Sequence, residues 1–255
     1  EDDHVFGLTA AKKYGGEFAP AHQAVIHSYM RERYAAPGKM LLGSDSHTRY
    51  GAYGCMAIGE GGPELARRLL RKTYDIAYPK VIAIYLTGAP RPGVGPQDVA
   101  LALVGATFKN GSVKNAVMEF FGPGLANLSM DYRAGIDVMT TETTCLSSVW
   151  QTDEQTRTAL ALLGRGDSYQ EMAPSQGAYY DGVVTVEVDK VEPMIALPFH
   201  PSNAYTIREF KANMADLLHQ VDMDAAEQLG VKNAPSLVKK IVEGQFHVDQ
   251  GVIAG

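Results

Sequence analysis

The chain has 255 residues, 45% hydrophobic and 20% charged, with a net charge of −6. That is an ordinary globular balance, long enough for one large domain or two modest ones, each with its own core. The acidity and the lack of a Lys/Arg-rich run argue against a nucleic-acid partner, no apolar run reaches the ~20 residues that span a bilayer, and Cys55 and Cys145 are too few for a disulfide framework or for an iron–sulfur cluster of their own.

Two cysteines without a framework fit a reducing, cytoplasmic compartment. The start, Glu-Asp-Asp-His, lacks Met and the character of a signal peptide, and reads as the beginning of a fragment. The end, Gly-Val-Ile-Ala-Gly at 251–255, reads as a strand cut off mid-element.

In chain order, residues 8–14 begin with a short helix. Ala21, Ala24, Val25, Tyr29 and Met30 fall on helical spacing, so a helix is expected over 21–34. Ala36-Pro37-Gly38 breaks it, and Lys39 to Leu42 is a short buried strand. That strand opens into Gly43-Ser44-Asp45-Ser46-His47-Thr48. Residues 51–62 are glycine-rich, and Pro63 and Glu64 start a helix to Arg71. Val81 to Leu86 is a continuous apolar strand, and Asp98 to Phe108 is an Ala- and Leu-rich helix. Val113 to Phe120 fits either strand or helix, stopped by Gly122-Pro123-Gly124. A helix follows Asp153 to Leu163, and β-branched Val183 to Val188 is a strand. Ile207 to Leu218 and Leu237 to Val242 are helical. Strands alternate with helices, so the class is α/β.

The 43–48 loop is the densest polar cluster. It follows a strand's carboxyl end, where open α/β sheets place ligands. Asp45 and His47 are two apart and share a direction in an extended loop, so they could hold a water or pass a proton. The alternative is that Asp45 and the hydroxyls cap the next turn. His27, alone on its helix, is either a surface or core residue or a functional one. Thr140-Thr141-Glu142-Thr143-Thr144-Cys145 is either a hydrogen-bonded carboxylate site or a solvated edge strand. Cys145 has no His or Lys near it in sequence and reads as a buried, inert thiol. Glu119 reads as a salt-bridge partner rather than a buried functional acid.

Taken together, Ala-Val-Ile-His at 24–27, Lys-Met-Leu-Leu-Gly-Ser-Asp-Ser-His-Thr at 39–48, Gly-Ala-Tyr-Gly-Cys-Met-Ala-Ile-Gly-Glu-Gly-Gly at 51–62, Glu-Phe-Phe-Gly-Pro-Gly at 119–124, Thr-Thr-Glu-Thr-Thr at 140–144, Tyr-Asp-Gly-Val-Val-Thr-Val-Glu-Val at 180–188 and Glu-Pro-Met-Ile-Ala-Leu-Pro-Phe-His-Pro at 192–201 resemble, in order and spacing, the aconitase and 3-isopropylmalate dehydratase large-subunit superfamily. The resemblance covers residues 5–255 and implies an internal fragment of that fold. It implies three-layer α/β/α units with mainly parallel sheets: residues 1–80 would finish a first unit, 81–197 form a second and 198–255 begin a third. It also implies a hydro-lyase acting on a small hydroxy-polycarboxylate through a [4Fe–4S] cluster in the full-length protein. His27, Asp45, His47 and Glu142 fall on catalytic positions and Ser46 on a substrate contact. No cysteine of this chain falls on a cluster-ligand position; the first ligand is expected just after Gly255, and an Asp-His pair before residue 1. Partners would be a di- or tricarboxylate and the remaining domains of the same protein, with no membrane. The competing expectation is a cluster-less relative that binds or regulates without catalysis.

Overall fold

A computed structural model describes residues 2–231 and 236–252. The helices are α1 (Asp2–Tyr14), α2 (Ile26–Arg33), α3 (Gly62–Leu69), α4 (Pro96–Thr107), α5 (Met130–Met139), α6 (Glu154–Leu162), α7 (Ile207–Ala212) and α8 (Met214–Leu229). The strands are β1 (Met40–Gly43), β2 (Met56–Gly59), β3 (Val81–Thr87), β4 (Val117–Phe121), β5 (Ser147–Trp150), β6 (Gly182–Glu187), β7 (Met194–Ala196), β8 (Ala204–Thr206), β9 (Ile241–Val242) and β10 (Gln245–Phe246).

Four strands form a parallel sheet in the order β5-β4-β3-β6. Parallel neighbours need crossovers, and α4 and α5 supply two of them. Gly95 donates its N–H to Asp98 at 2.7 Å at the start of α4, where Pro96 loses nothing by lacking a donor. Ile82, Ile84, Leu86, Met118, Phe120 and Trp150 pack with Val99, Leu103 and Ile136 in the largest apolar cluster. The Phe120 and Trp150 rings stack at 4.2 Å between centroids. Other sheet positions face water: Val183 is 68% exposed.

Two smaller apolar clusters flank this one. Ala35, Tyr50, Cys55 and Ala57 form one beneath the parallel pair β1–β2. Leu197, Phe210, Met214, Leu218 and Val221 form the other, with the antiparallel pairs β7–β8 and β9–β10 nearby. The class is α/β with parallel sheets, as the alternating pattern predicts. No described helix is long and apolar enough to cross a membrane.

Several local expectations are corrected. The helix expected over 21–34 begins at Ile26, because His22 has φ 66° and Val25 is extended. The 237–242 helix is a short 3-10 turn over Val238–Lys240 followed by β9. Glu243 and Gly244 both have positive φ, which suits the two-residue hairpin turn that joins β9 to β10. Asn213, with ψ 24°, divides the segment after Ile207 into α7 and α8. Residues 113–120 resolve as a strand from Val117. The strand expected over 251–255 has no strand at 251 and 252, and residues 253–255 lie outside the described residues.

Candidate active site

The loop after β1 folds back over the strand pair because two glycines let it. Gly43 and Gly59 are partners in register on β1 and β2. A Cβ on Gly59 would lie 2.3 Å from the Asp45 carbonyl oxygen, and one on Gly43 would lie 2.4 Å from Thr48 Oγ1. Backbone at Gly59 and the Thr48 side chain at Gly43 pass so close that only hydrogen fits. Gly59→Ala is therefore expected to cost about 1–3 kcal/mol and displace the loop; a thermal melt together with the His47 ring NMR signals checks it, and an unshifted pair of readings would show that the strand pair yields instead.

Buried Arg49 then ties the loop down. Its guanidinium donates to the carbonyls of Thr48 at 3.0 Å, Ala57 at 3.4 Å and Cys145 at 3.1 Å. Thr141 Oγ1 donates to the Ser46 carbonyl at 2.7 Å, so the loop is also held against residues 140–143. Those residues form a 3-10 turn rather than an edge strand. Their threonine hydroxyls are consumed locally: Thr140 donates to the Asp137 carbonyl and Thr143 to the Thr140 carbonyl, each at 2.7 Å. Hydroxyls that satisfy neighbouring carbonyls favour a turn over a ladder.

This brings four of the expected residues into a chain of contacts. His27 Nε2 lies 3.1 Å from Asp45 Oδ1. The same oxygen accepts from the His47 backbone N–H at 2.7 Å and lies 3.6 Å from His47 Nδ1. His47 Nε2 lies 3.1 Å from Glu142 Oε1. Ser46 is exposed, with Oγ 3.4 Å from His47 Nδ1. The His47 and Asp45 side chains are open to solvent, at 39% and 46% exposed, whereas His27 is 15% exposed.

Burial and hydrogen bonding shift three of these groups, Asp45, His27 and Tyr50. The His47 backbone N–H, helped by the nearby imidazoles, holds the Asp45 carboxyl below its ordinary 3.8 despite some burial. Burial pushes His27 below its ordinary 6.5, and the Asp45 charge only partly offsets this. A neutral His27 donates from one nitrogen and accepts at the other. Its Nε2–H faces Asp45, and its Nδ1 lies 3.3 Å from the Tyr50 hydroxyl. Burial raises the Tyr50 phenol above its ordinary value, which keeps that hydroxyl a donor. A carboxylate only accepts, and Glu142 at 3.1 Å from Nε2 is within hydrogen-bond reach whereas Asp45 at 3.6 Å from Nδ1 is not, so the geometry favours the tautomer with N–H at Nε2 and leaves Nδ1 toward Ser46 and solvent.

Other candidates fall elsewhere. Glu119 has no ion pair among the described residues; it lies near Tyr180, whose phenol is pushed up to about 12, chiefly by burial and then by the Glu119 charge. Cys145 is buried, with Sγ donating to the Thr140 carbonyl at 3.3 Å. Cys55 is also buried, and burial pushes its thiol up to about 11. Among the described residues no group of three or more His, Cys, Asp or Glu is arranged to hold a metal. Cys145 and Cys55 lie in two separate apolar clusters, so they do not present their sulfurs to one common iron–sulfur group. Two site residues escape the sequence reading. Tyr50 closes the loop that contains Asp45 and His47, and His200 reaches Glu142 Oε2 at 3.8 Å from the loop between β7 and β8. A histidine set between Phe199 and Pro201 in an irregular connection is the signal that could have pointed to the second.

Comparison with known proteins gives a consistent result. A family model described as "Aconitase family (aconitate hydratase)" matches residues 3–255. The 3-isopropylmalate dehydratase large subunit of Elusimicrobium minutum is 34% identical over 203 residues, covering 79% of this chain and 48% of that protein. The mitochondrial aconitate hydratase of Schizosaccharomyces pombe is 33% identical over 215 residues, 81% of this chain and 27% of that protein. An aconitase–ribosomal protein bL21m fusion protein of the same yeast is 32% identical over 216 residues, 80% of this chain and 23% of that protein. The chain thus spans from 23% to 48% of the length of these curated relatives.

Proposed function

The chain belongs to the aconitase family, and on that premise we propose that the whole protein is a hydro-lyase that adds or removes water on a small hydroxy-polycarboxylate. The observation that carries the reading is the unbroken run His27–Asp45–His47–Glu142, assembled from three separate segments around one solvent-open imidazole.

On this reading His47 is the proton carrier. Glu142 holds the ring through Nε2, so Nδ1 exchanges the proton. In the dehydration direction the C–O bond breaks and Nδ1–H protonates the leaving hydroxyl, which departs as water. In the hydration direction Nδ1 takes a proton from the incoming water. Asp45 stabilises the protonated ring, His27 and Tyr50 hold Asp45 in place, and Ser46 contacts substrate from the rim. The proton on the neighbouring carbon is removed by a base outside these 255 residues.

A [4Fe–4S] cluster belongs to the proposal for the whole protein, with thiolates from outside this chain, because Cys55 and Cys145 sit in apolar clusters. The other partners proposed are a di- or tricarboxylate and the remaining domains of the same protein. Three separate apolar clusters support a division of the chain near Lys80 and Pro198. Free cysteines support a reducing, cytoplasmic setting, with an organelle as the alternative, since relatives are named mitochondrial.

The test is to reconstitute the whole protein anaerobically with iron and sulfide and assay a panel of hydroxy-di- and tricarboxylates for alkene formation. Turnover of at least one member is expected, while the 255-residue chain treated alike shows no stoichiometric iron–sulfur absorbance. A cluster-loaded protein that turns over no member sinks the hydro-lyase reading and leaves a binding role; a stoichiometric band on the chain alone overturns the assignment of its thiols.

A further inference from the structure

The carboxylate of Glu142 has two oxygens, and each faces a different imidazole. Oε1 lies 3.1 Å from His47 Nε2, and Oε2 lies 3.8 Å from His200 Nε2. Among the described residues these two histidines are its hydrogen-bond and ion-pair partners. With one anchor alone, a carboxylate on a side chain that is 24% exposed can rotate about its terminal bond and release the His47 ring.

The state of the His200 ring follows from its other edge. Its Nδ1 accepts from the Ser202 backbone N–H at 3.1 Å, and the Ser202 hydroxyl lies 3.0 Å away. A ring nitrogen that accepts carries no proton, so neutral His200 bears its hydrogen on Nε2, the edge that faces Glu142. The ring cannot readily turn, because it stacks on Phe108 at 3.9 Å between centroids with planes 25° apart. A separation of 3.8 Å is too long for a hydrogen bond and acts by charge and dipole.

We propose that His200 is a positioning residue for Glu142: stacked on Phe108 and set by Ser202, it steadies the second oxygen of the carboxylate whose first oxygen fixes His47. The inference rests on the proposed role of His47 and adds a second support behind it. It also gives the β7–β8 loop a task, since His200 is the residue through which that loop reaches the relay.

The experiment uses imidazole 1H–15N NMR on the full chain. Glu142→Gln is expected to move the His47 and His200 signals together, leaving His219, exposed on α8, in place. His200→Ala is expected to move or split the His47 signal, whereas His200→Gln, whose amide N–H replaces the Nε2 donor, restores most of it. In the complete enzyme His200→Ala should lower kcat by about tenfold or more with KM held within about twofold, and His200→Gln should recover most of the loss. A His47 signal unmoved in His200→Ala overturns the proposal, as does equal loss in both His200 variants accompanied by a lowered Tm, which would mark packing alone. The spectra need no turnover, so an inactive complete enzyme would sink the hydro-lyase reading while the NMR result still decides the role of His200.

Discussion

On the proposed hydro-lyase reading, His47→Ala is expected to lower kcat of the complete protein by about 10²- to 10⁴-fold, the range a positioned proton carrier contributes, and to leave it folded. The ring is 39% exposed and fills no apolar cluster, so its loss opens no cavity. What disappears is the Nδ1 lone pair and the link between two carboxylates that otherwise lie on different segments. Glu142→Gln separates orientation from charge. The amide can still reach the ring, but it can present N–H where the carboxylate accepted, and that favours the wrong tautomer. Asp45→Asn keeps the shape and loses the charge that stabilises a protonated ring. The measurement is kcat and KM beside a melting curve for each variant. Retained turnover with His47→Ala would return the 43–48 loop to the role of a turn cap.

The largest stability effect is expected far from that chemistry. Arg133 is fully buried, and its guanidinium donates to the Leu128 and Leu125 carbonyls at 3.0 Å each and to Asp153 Oδ1 at 2.9 Å. Asp153 in turn accepts from the Gln155 and Thr156 backbone N–H groups and starts α6. One pair therefore joins α5, α6 and the turn before α5. Arg133→Met keeps volume but removes the buried cation from the Asp153 carboxylate and one donor from each of two carbonyls, at a cost of about 3–5 kcal/mol, or roughly 10 °C in Tm. Burial alone would raise the Asp153 carboxyl; the Arg133 hydrogen bond and charge more than reverse this and hold it below 3.8. A depressed carboxyl stabilises the fold fully above its unfolded pKa and loses that contribution as pH falls through the folded value. The variant should accordingly flatten the acid limb of a stability-against-pH curve. Denaturant melts from pH 2 to 7 decide the matter: a change under about 1 kcal/mol with an unaltered acid limb would show that the pair is replaceable.

Legibility in the sequence follows the range of the interaction concerned. The 43–48 loop is readable because a short strand and a glycine lead into it, and both are local signals. Glu142 is 95 positions from His47, and no periodicity links the two; only the resemblance to a known family puts them together. β2 hides in a glycine-rich stretch because four residues, Met56 to Gly59, are too few for a pattern. β5 hides for another reason: Ser147 and Ser148 look polar, yet both are buried. Ser147 Oγ donates to the Ala57 carbonyl and Ser148 Oγ to Asp137. Leu237 to Val242 looks helical by composition, but positive φ at Glu243 and Gly244 commits the following residues to a hairpin. His200 lies in a stretch that the resemblance includes, but its role depends on Glu142, a partner on another element 58 positions away.

The glycine pair Gly43 and Gly59 bears on how the relay comes into being. The loop that carries Asp45 and His47 packs against the β1–β2 pair, and His47 meets Glu142 across 95 positions of chain. Closing that loop costs entropy before any contact rewards it. The cluster is therefore expected to form late in folding, because no local segment holds His27, Asp45, His47 and Glu142 together.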